Sequence, residues 1–276
     1  KVVKYKQFGV VYNPTSAKGQ GQVIFNDTIK PLIEKHLIAQ NFKVKISPTT
    51  KPGGAKDCTL ALLNEGCDCI IAAGGDGTLH EVMNALVSFK DTSCTAAAAM
   101  AVIPMGTGND FAKTIKLLEF KNKAWTQNYE SIIQTIAKGY TIMADVGLLE
   151  STYKTSSGSE TRKKVFLNEA SFGISGDVMD AVNNQTSFWI SKDFTFQFQS
   201  VWKQFTYSNK KIAIEDVGKG TKQEFVNQLI AVANGQYFGS GMQIQPQASI
   251  NDGKFSLCSF ADVGVREEIA GAILDR

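Results

Sequence analysis

The apolar positions of the first half fall into two alternating patterns. Residues 8–12, 69–73 and 98–103 are short, nearly continuous apolar runs, as expected of strands buried on both faces, and 42–47 alternates like a strand with one wet face. Between these runs lie stretches with helical spacing: 22–39, in which Pro31 is expected to kink or break the helix, 55–64 closed by Gly66, 79–87, a helix from Asn109, and 129–138. Strand and helix in turn predict an α/β domain over residues 1–140, a parallel sheet with flanking helices. Ligands of such sheets bind beyond the carboxyl ends of the strands.

The second half has a different rhythm. Strand-like runs at 141–149, 165–174, 210–217, 224–233, 242–246 and 254–260 are separated by polar turns. A hairpin tip falls at 156–159, and Gly218-Lys219-Gly220 joins another pair of strands. This predicts a second domain, an antiparallel β-sandwich over 141–276. Phe188, Trp189, Phe194, Phe196, Phe198, Trp202, Phe205 and Tyr207 cluster in one stretch. It reads as packing between a helix and the sandwich, with an apolar substrate cleft or membrane-facing lip as the alternative.

Composition narrows the classes. With 29 Lys and Arg against 26 Asp and Glu the chain is only slightly basic, and no dense basic stretch points to nucleic acid. No apolar run is long enough to span a bilayer, and Lys1-Val2-Val3-Lys4 opens without a secretory apolar stretch. The five cysteines are odd in number and scattered, and Cys67 and Cys69 flank Asp68 at a spacing that does not suit zinc. Reduced thiols in the cytoplasm are the expectation. His36 and His80 are the only histidines, too few for a histidine metal site or a Ser-His-Asp triad; His36 reads as a surface or boundary residue of an amphipathic helix.

Three glycine-rich strings carry the chemistry: Asn13-Pro14-Thr15-Ser16-Ala17-Lys18-Gly19, Gly74-Gly75-Asp76-Gly77-Thr78, and Pro104-Met105-Gly106-Thr107-Gly108-Asn109-Asp110. Each follows a predicted strand, so topology brings all three to one sheet edge. Glycines let backbone approach a ligand, and a helix start offers unpaired N–H groups to an anion. Asp76 sits inside the middle turn, where a polyphosphate, a metal ion or a reacting hydroxyl would lie beside it. The Walker string, the dinucleotide fingerprint and the protein-kinase set are absent. Phosphoryl transfer asks for positioning and charge compensation. Lys18 and backbone N–H groups can offset phosphate, while Asp76, Asp110 and Asp145 can hold Mg²⁺ through oxygens or waters. Asp76 is the choice for general base, a role the sequence leaves open against Mg²⁺ organisation.

These strings, with Phe111-Ala112, Asp145-Val146-Gly147, the 168–176 stretch, Asn234-Gly235 and Asp252-Gly253-Lys254, resemble the diacylglycerol kinase catalytic-domain family, which includes diacylglycerol, sphingosine, ceramide and bacterial lipid kinases. The Gly-Gly-Asp-Gly-Thr string is shared with NAD kinases; the Gly-Thr-Gly-Asn-Asp-Phe-Ala string is far more specific. The resemblance implies a nucleotide-binding α/β domain and a β-sandwich with the active site between them, ATP and Mg²⁺ as cofactors, and γ-phosphoryl transfer to a lipid hydroxyl, diacylglycerol first. It implies that Asn13, Ser16 and Lys18 line the nucleotide, that Gly75, Gly77 and Thr78 cradle phosphate, and that Asp76 is the central acid. Gly106, Thr107 and Asn109 would complete the nucleotide site, with Asp110, Asp145 and Asp252 toward metal. The implied setting is cytoplasmic and peripheral to a membrane bearing the lipid, with no nucleic-acid partner and a homodimer left open.

Departures from the family pattern are local. Ala17, His80 and Ala85 stand where relatives carry Gly, Asn and Gly. Ala17 is strained by roughly 1 kcal/mol if its position requires positive φ. Glu169 and Asp177 read as solvated or hydrogen-bonded acids. Relatives continue past the amphipathic run at 265–274 and supply an Asp-Gly-Glu acid; Glu267 and Glu268 do not match it, so the returning segment is expected to be missing. Two competing readings remain at this stage, an NAD-kinase-like enzyme and a nucleotide-binding module without turnover.

Overall fold

The structure is a computed structural model describing residues 2–92, 98–155, 158–176, 178, 209–218 and 220–261. The aromatic stretch at 188–207, Asp177 and the 265–274 run lie outside the described residues.

Four strands form the expected parallel sheet: β1 (Gln7–Tyr12), β2 (Lys43–Pro48), β3 (Cys69–Gly74) and β4 (Ala99–Pro104), in the order β2-β1-β3-β4. The helical segments of this half are α1 (Ser16–Gly19), α2 (Gly21–Ile24), α3 (Lys30–His36), α4 (Gly54–Asn64), α5 (Asp76–Thr92), α6 (Asp110–Thr114) and α7 (Tyr129–Ala137). Strand alternation explains the layers. Phe8, Val10, Tyr12, Ile71 and Ile103 share one core with Phe25, Ile29, Ile33, Leu37 and Ile133. Val11, Ile70, Ala72 and Val102 face the other, with Leu62, Leu63, Leu79 and Val82. Each fully buried Ile, Leu or Phe contributes about 1.5–3 kcal/mol. After β1 the chain runs to β2 on one side, then crosses to β3 on the other, so the loops leaving β1 and β3 part at the carboxyl rim and open a crevice there.

Pro31 does not break the chain's helical course. A wide π turn, Phe25–Ile29, precedes it and Pro31 falls in the first turn of α3, where a missing N–H costs least. Helix α5 runs well beyond the expected 79–87. The Glu81 carboxylate of α5 accepts from Gly53 N at 3.2 Å and Ala55 N at 2.8 Å, capping the start of α4. In α7 the Asn128 side chain accepts from Ser131 N. Its Glu130 meets Lys35 at 2.8 Å and His36 Nε2 at 2.9 Å, and His36 is the boundary residue expected.

Two antiparallel ribbons follow. The hairpin β5 (Leu118–Lys121) and β6 (Ala124–Gln127) was not expected; Asn122 and Lys123 turn it with φ of 51° and 63°. The second is β7 (Gly147–Thr155) with β8 (Gly158–Phe166). Strand β7 starts later than the expected 141, and residues 141–146 take no regular structure. Asn84 of α5 holds this hairpin as another strand would: its Oδ1 accepts from Val165 N and its Nδ2 donates to Val165 O, both at 2.9 Å. The expected strand 165–174 is interrupted at Leu167 and Asn168. Their carbonyls take donors from Asn234 and Gly235 instead of a ladder partner.

The remaining strands are β9 (Glu169–Gly173), β10 (Lys210–Asp216), β11 (Thr221–Ala233), the two-residue β12 (Tyr237–Phe238) and β13 (Met242–Gln243), and β14 (Ser256–Ala261). Strand β11 pairs antiparallel with β10 and β14 and also pairs β9, the expected antiparallel sheet. Contacts divide the chain into two compact units. One holds residues 1–169 with 234–254; the other holds the described residues within 170–233 and 255–276.

Candidate active site

All three glycine strings meet at the carboxyl rim of the parallel sheet. Asn13 N donates to Ala73 O at 3.1 Å, and Met105 N donates to Gly74 O at 2.9 Å. Gly75 and Gly106 touch backbone to backbone: a Cβ on Gly106 would stand 2.4 Å from Gly75 Cα. No larger residue fits there, which is why both turns carry glycine.

The first string folds on itself. Asn13 Oδ1 accepts from Thr15 N at 3.0 Å and Thr15 Oγ1 at 2.9 Å, and Ser16 Oγ donates to Asn13 O at 2.9 Å. Asn13 and Ser16 thus shape the turn. Ala17 and Lys18 take φ of 50° and 57°, so the Ala17 position is one that glycine would fill without strain. Gly21, which the motif reading did not single out, closes the loop: a Cβ there would lie 2.4 Å from Asn13 O. Lys18 is exposed at its surface.

Asp76 opens α5, and its carboxylate oxygens accept from the first N–H groups of α6, Asp110 N and Phe111 N, each at 3.2 Å. Burial, then the neighbouring Asp110, push the Asp76 carboxyl above its ordinary range. Thr78 is buried against Gly74, while Gly77 and Thr107 lie at the surface. Asn109, with φ of 53°, braces the third loop: its Oδ1 accepts from Gly106 N at 2.8 Å and its Nδ2 donates to Gly106 O at 2.7 Å.

Asp110 is held on both oxygens. Oδ1 faces Lys113 Nζ at 3.2 Å, and Oδ2 accepts from Ser240 N at 2.9 Å. The Lys113 side chain is 2% exposed and lies 5.3 Å from the Trp125 ring centre, a cation–π contact with the unexpected hairpin. Trp125 meets Tyr237 edge-on. Lys113, Trp125 and Ser240 escaped the motif reading; the i, i+3 spacing of Asp110 and Lys113 on a helix was the one available signal.

Asp145 and Asp252 come together with each other. Asp145 Oδ2 accepts from Gly253 N at 2.7 Å, and Asn234 Nδ2 donates to Asp145 O at 2.8 Å. Asp252 Oδ1 accepts from Lys254 N at 3.1 Å, as a turn-forming aspartate does. The hydrogen bonds therefore join Asp76 to Asp110, and Asp145 to the 252–253 turn. Among the described residues no three His, Cys, Asp or Glu side chains form a metal-holding group. The paired carboxylates of Asp76 and Asp110 are hard oxygen donors that suit Mg²⁺ keeping several of its waters. Glu169 is half-buried at the start of β9. Its Oε2 is buried without a hydrogen-bond partner, and burial, with Asp110 second, pushes the carboxyl up to about 8.

Comparison with known proteins decides the family. The description "Diacylglycerol kinase catalytic domain" matches residues 7–149, half of the chain, and "YegS C-terminal NAD kinase beta sandwich-like domain" matches 168–269. The chain belongs to the diacylglycerol kinase catalytic-domain family. Phosphoryl transfer to an alcohol is the chemistry of this family. Among its relatives, a diacylglycerol kinase of Staphylococcus carnosus is 26% identical over 91% of this chain and 72% of its own length. One from Bacillus subtilis is 24% identical over 98% of this chain and 78% of its own. The crystal structure of a diacylglycerol kinase from Bacillus anthracis superimposes with a TM-score of 0.61 at 20% identity, over 99% of this chain and 79% of that one, a likeness of fold. Among the described residues no helix is long and apolar enough to cross a membrane.

Proposed function

We propose that the chain is an ATP-dependent lipid kinase that transfers the γ-phosphoryl group to a lipid hydroxyl, diacylglycerol first among acceptors. One observation carries the reading: the Asp76 carboxylate, raised by burial and fixed by two N–H groups of α6, lies where the turns after β3 and β4 touch, on the rim they share with the turn after β1. The turns after β1, β3 and β4 cradle the phosphates with backbone N–H groups, and Lys18 adds charge from the first turn. Asn13, Ser16 and Asn109 keep the turns in shape, with Gly75, Gly77, Thr78, Gly106 and Thr107 against the nucleotide. Asp110, with Asp76 acting through coordinated waters, would hold magnesium, which would supply compensation of the phosphate charge; Asp145 and Asp252 order the adjoining turn.

In the reaction the lipid oxygen attacks the γ-phosphorus. The new O–P bond forms as the bond from phosphorus to the β,γ-bridging oxygen breaks, ADP leaves, and the hydroxyl proton passes to Asp76. General-base assistance of this kind is worth about 10²–10⁴ in rate. The enzyme acts in the cytoplasm at the membrane surface, where its substrate resides.

The test supplies labelled ATP with lipid micelles or with NAD. Label is expected on lipid, and Asp76→Asn is expected to abolish it while the circular dichroism spectrum stays that of the folded protein. Full lipid labelling by the variant contradicts the role of Asp76. Label on NAD selects the NAD-kinase alternative, and nucleotide binding without transfer selects a binding module.

A further inference from the structure

The strand pair β12–β13 is folded over by Gly239, Ser240 and Gly241, all with positive φ (59°, 73° and 113°). This turn is fixed beside the acid pair. Asn168 Nδ2 donates to Tyr237 O at 2.8 Å, Gln236 N donates to Thr114 Oγ1 at 3.0 Å, and Ser240 N donates to Asp110 Oδ2 at 2.9 Å. Ser240 is the one non-glycine of the three, in a backbone region that L side chains rarely adopt.

Gly108 shows what its hydroxyl faces. The point a Cβ on Gly108 would occupy lies 3.0 Å from Asp76 Oδ2, 3.7 Å from Ser240 Oγ and 3.8 Å from Asp110 Oδ2. Three hard oxygens from three separate segments therefore lie within 4 Å of one spot, which residue 108 leaves free because it has no side chain. Lys113 occupies the opposite oxygen of Asp110, so Oδ2 is the oxygen turned toward this spot. The oxygens a cation would meet at this spot are Asp76 Oδ2, Asp110 Oδ2 and the Ser240 hydroxyl.

We infer that Ser240 is a positioning residue of the phosphoryl-transfer centre, its hydroxyl sharing with Asp76 and Asp110 the hold on magnesium and its waters. This rests on the kinase reading for its purpose but not for its test. Mn²⁺, a paramagnetic stand-in for Mg²⁺, is titrated into the full chain without nucleotide or lipid, and bound metal is read by electron paramagnetic resonance. Ser240→Ala keeps the backbone strain and loses the hydroxyl; Mn²⁺ affinity is expected to fall roughly tenfold. Ser240→Gly is expected to lose the same affinity while melting about 2 °C higher, since glycine relieves the strain. A role in folding alone would not lower metal affinity as stability rises. Gly108→Ala, which fills the spot, is expected to remove the binding. Mn²⁺ affinity unchanged in both Ser240 variants, or no Mn²⁺ binding by the parent chain, overturns the inference. If the affinities fall as expected but no lipid is ever labelled, the positioning role stands and the kinase reading falls.

Discussion

Glu169→Gln is expected to stabilise the protein, by an amount that grows with pH. The Glu169 carboxyl is raised from 4.5 to about 8, first by burial and then by Asp110. Between those values the unfolded chain has released the proton while the folded chain keeps it, so stability falls as pH rises through the interval. Each pH unit costs about 1.36 kcal/mol. At pH 7 the accumulated loss is roughly 3 kcal/mol, at pH 5 it is under about 1 kcal/mol, and above about pH 8 it levels near 5 kcal/mol. Glutamine has nearly the same shape and carries no proton to release, so it removes this loss. Urea unfolding of parent and variant at pH 5, 6, 7 and 8 measures the difference. A difference that stays flat across that range, or a variant less stable than the parent at pH 8, refutes the argument that Glu169 is held neutral by burial.

Ala17→Gly is expected to raise the urea midpoint. Relief of a left-handed alanine gives about 1–2 kcal/mol, offset by about 0.4–1 kcal/mol from the freer unfolded chain; a midpoint at or below that of the parent contradicts it. Gly106→Ala places a methyl group 2.4 Å from Gly75 Cα. It is expected to cost about 1–3 kcal/mol of stability and at least about tenfold in ATP affinity by calorimetry. Unaltered nucleotide binding would mean that the two turns need not touch.

The convergence of the three strings was legible because each follows a parallel strand, and parallel strands share one carboxyl rim. The conditional strain at Ala17 was legible for a similar reason: a residue type with a known steric limit stood in a turn. Other features depended on neighbours far along the chain. Lys113 looks like any helix lysine, and only the Trp125 hairpin and Ser240 turn around it make it a buried counter-charge. That hairpin was hidden because Asn122-Lys123 lacks the glycine that marks such turns. The break at Leu167 and Asn168 follows from the Asn234 side chain and backbone, more than sixty residues on. Glu169 reads as a solvated or hydrogen-bonded acid, and only the fold around the start of β9 shows that burial, with Asp110 second, raises its carboxyl.

The amide of Asn84 ties α5 to β8 with the geometry of a backbone rung. Asp76 lies at the first turn of that same helix, about 12 Å away at 1.5 Å per residue. The helix is thus pinned to β8 partway along its length, with the Asp76 carboxylate at its first turn. The β7–β8 hairpin and the Asp76 carboxylate are therefore fastened to opposite ends of the same two turns of one helix.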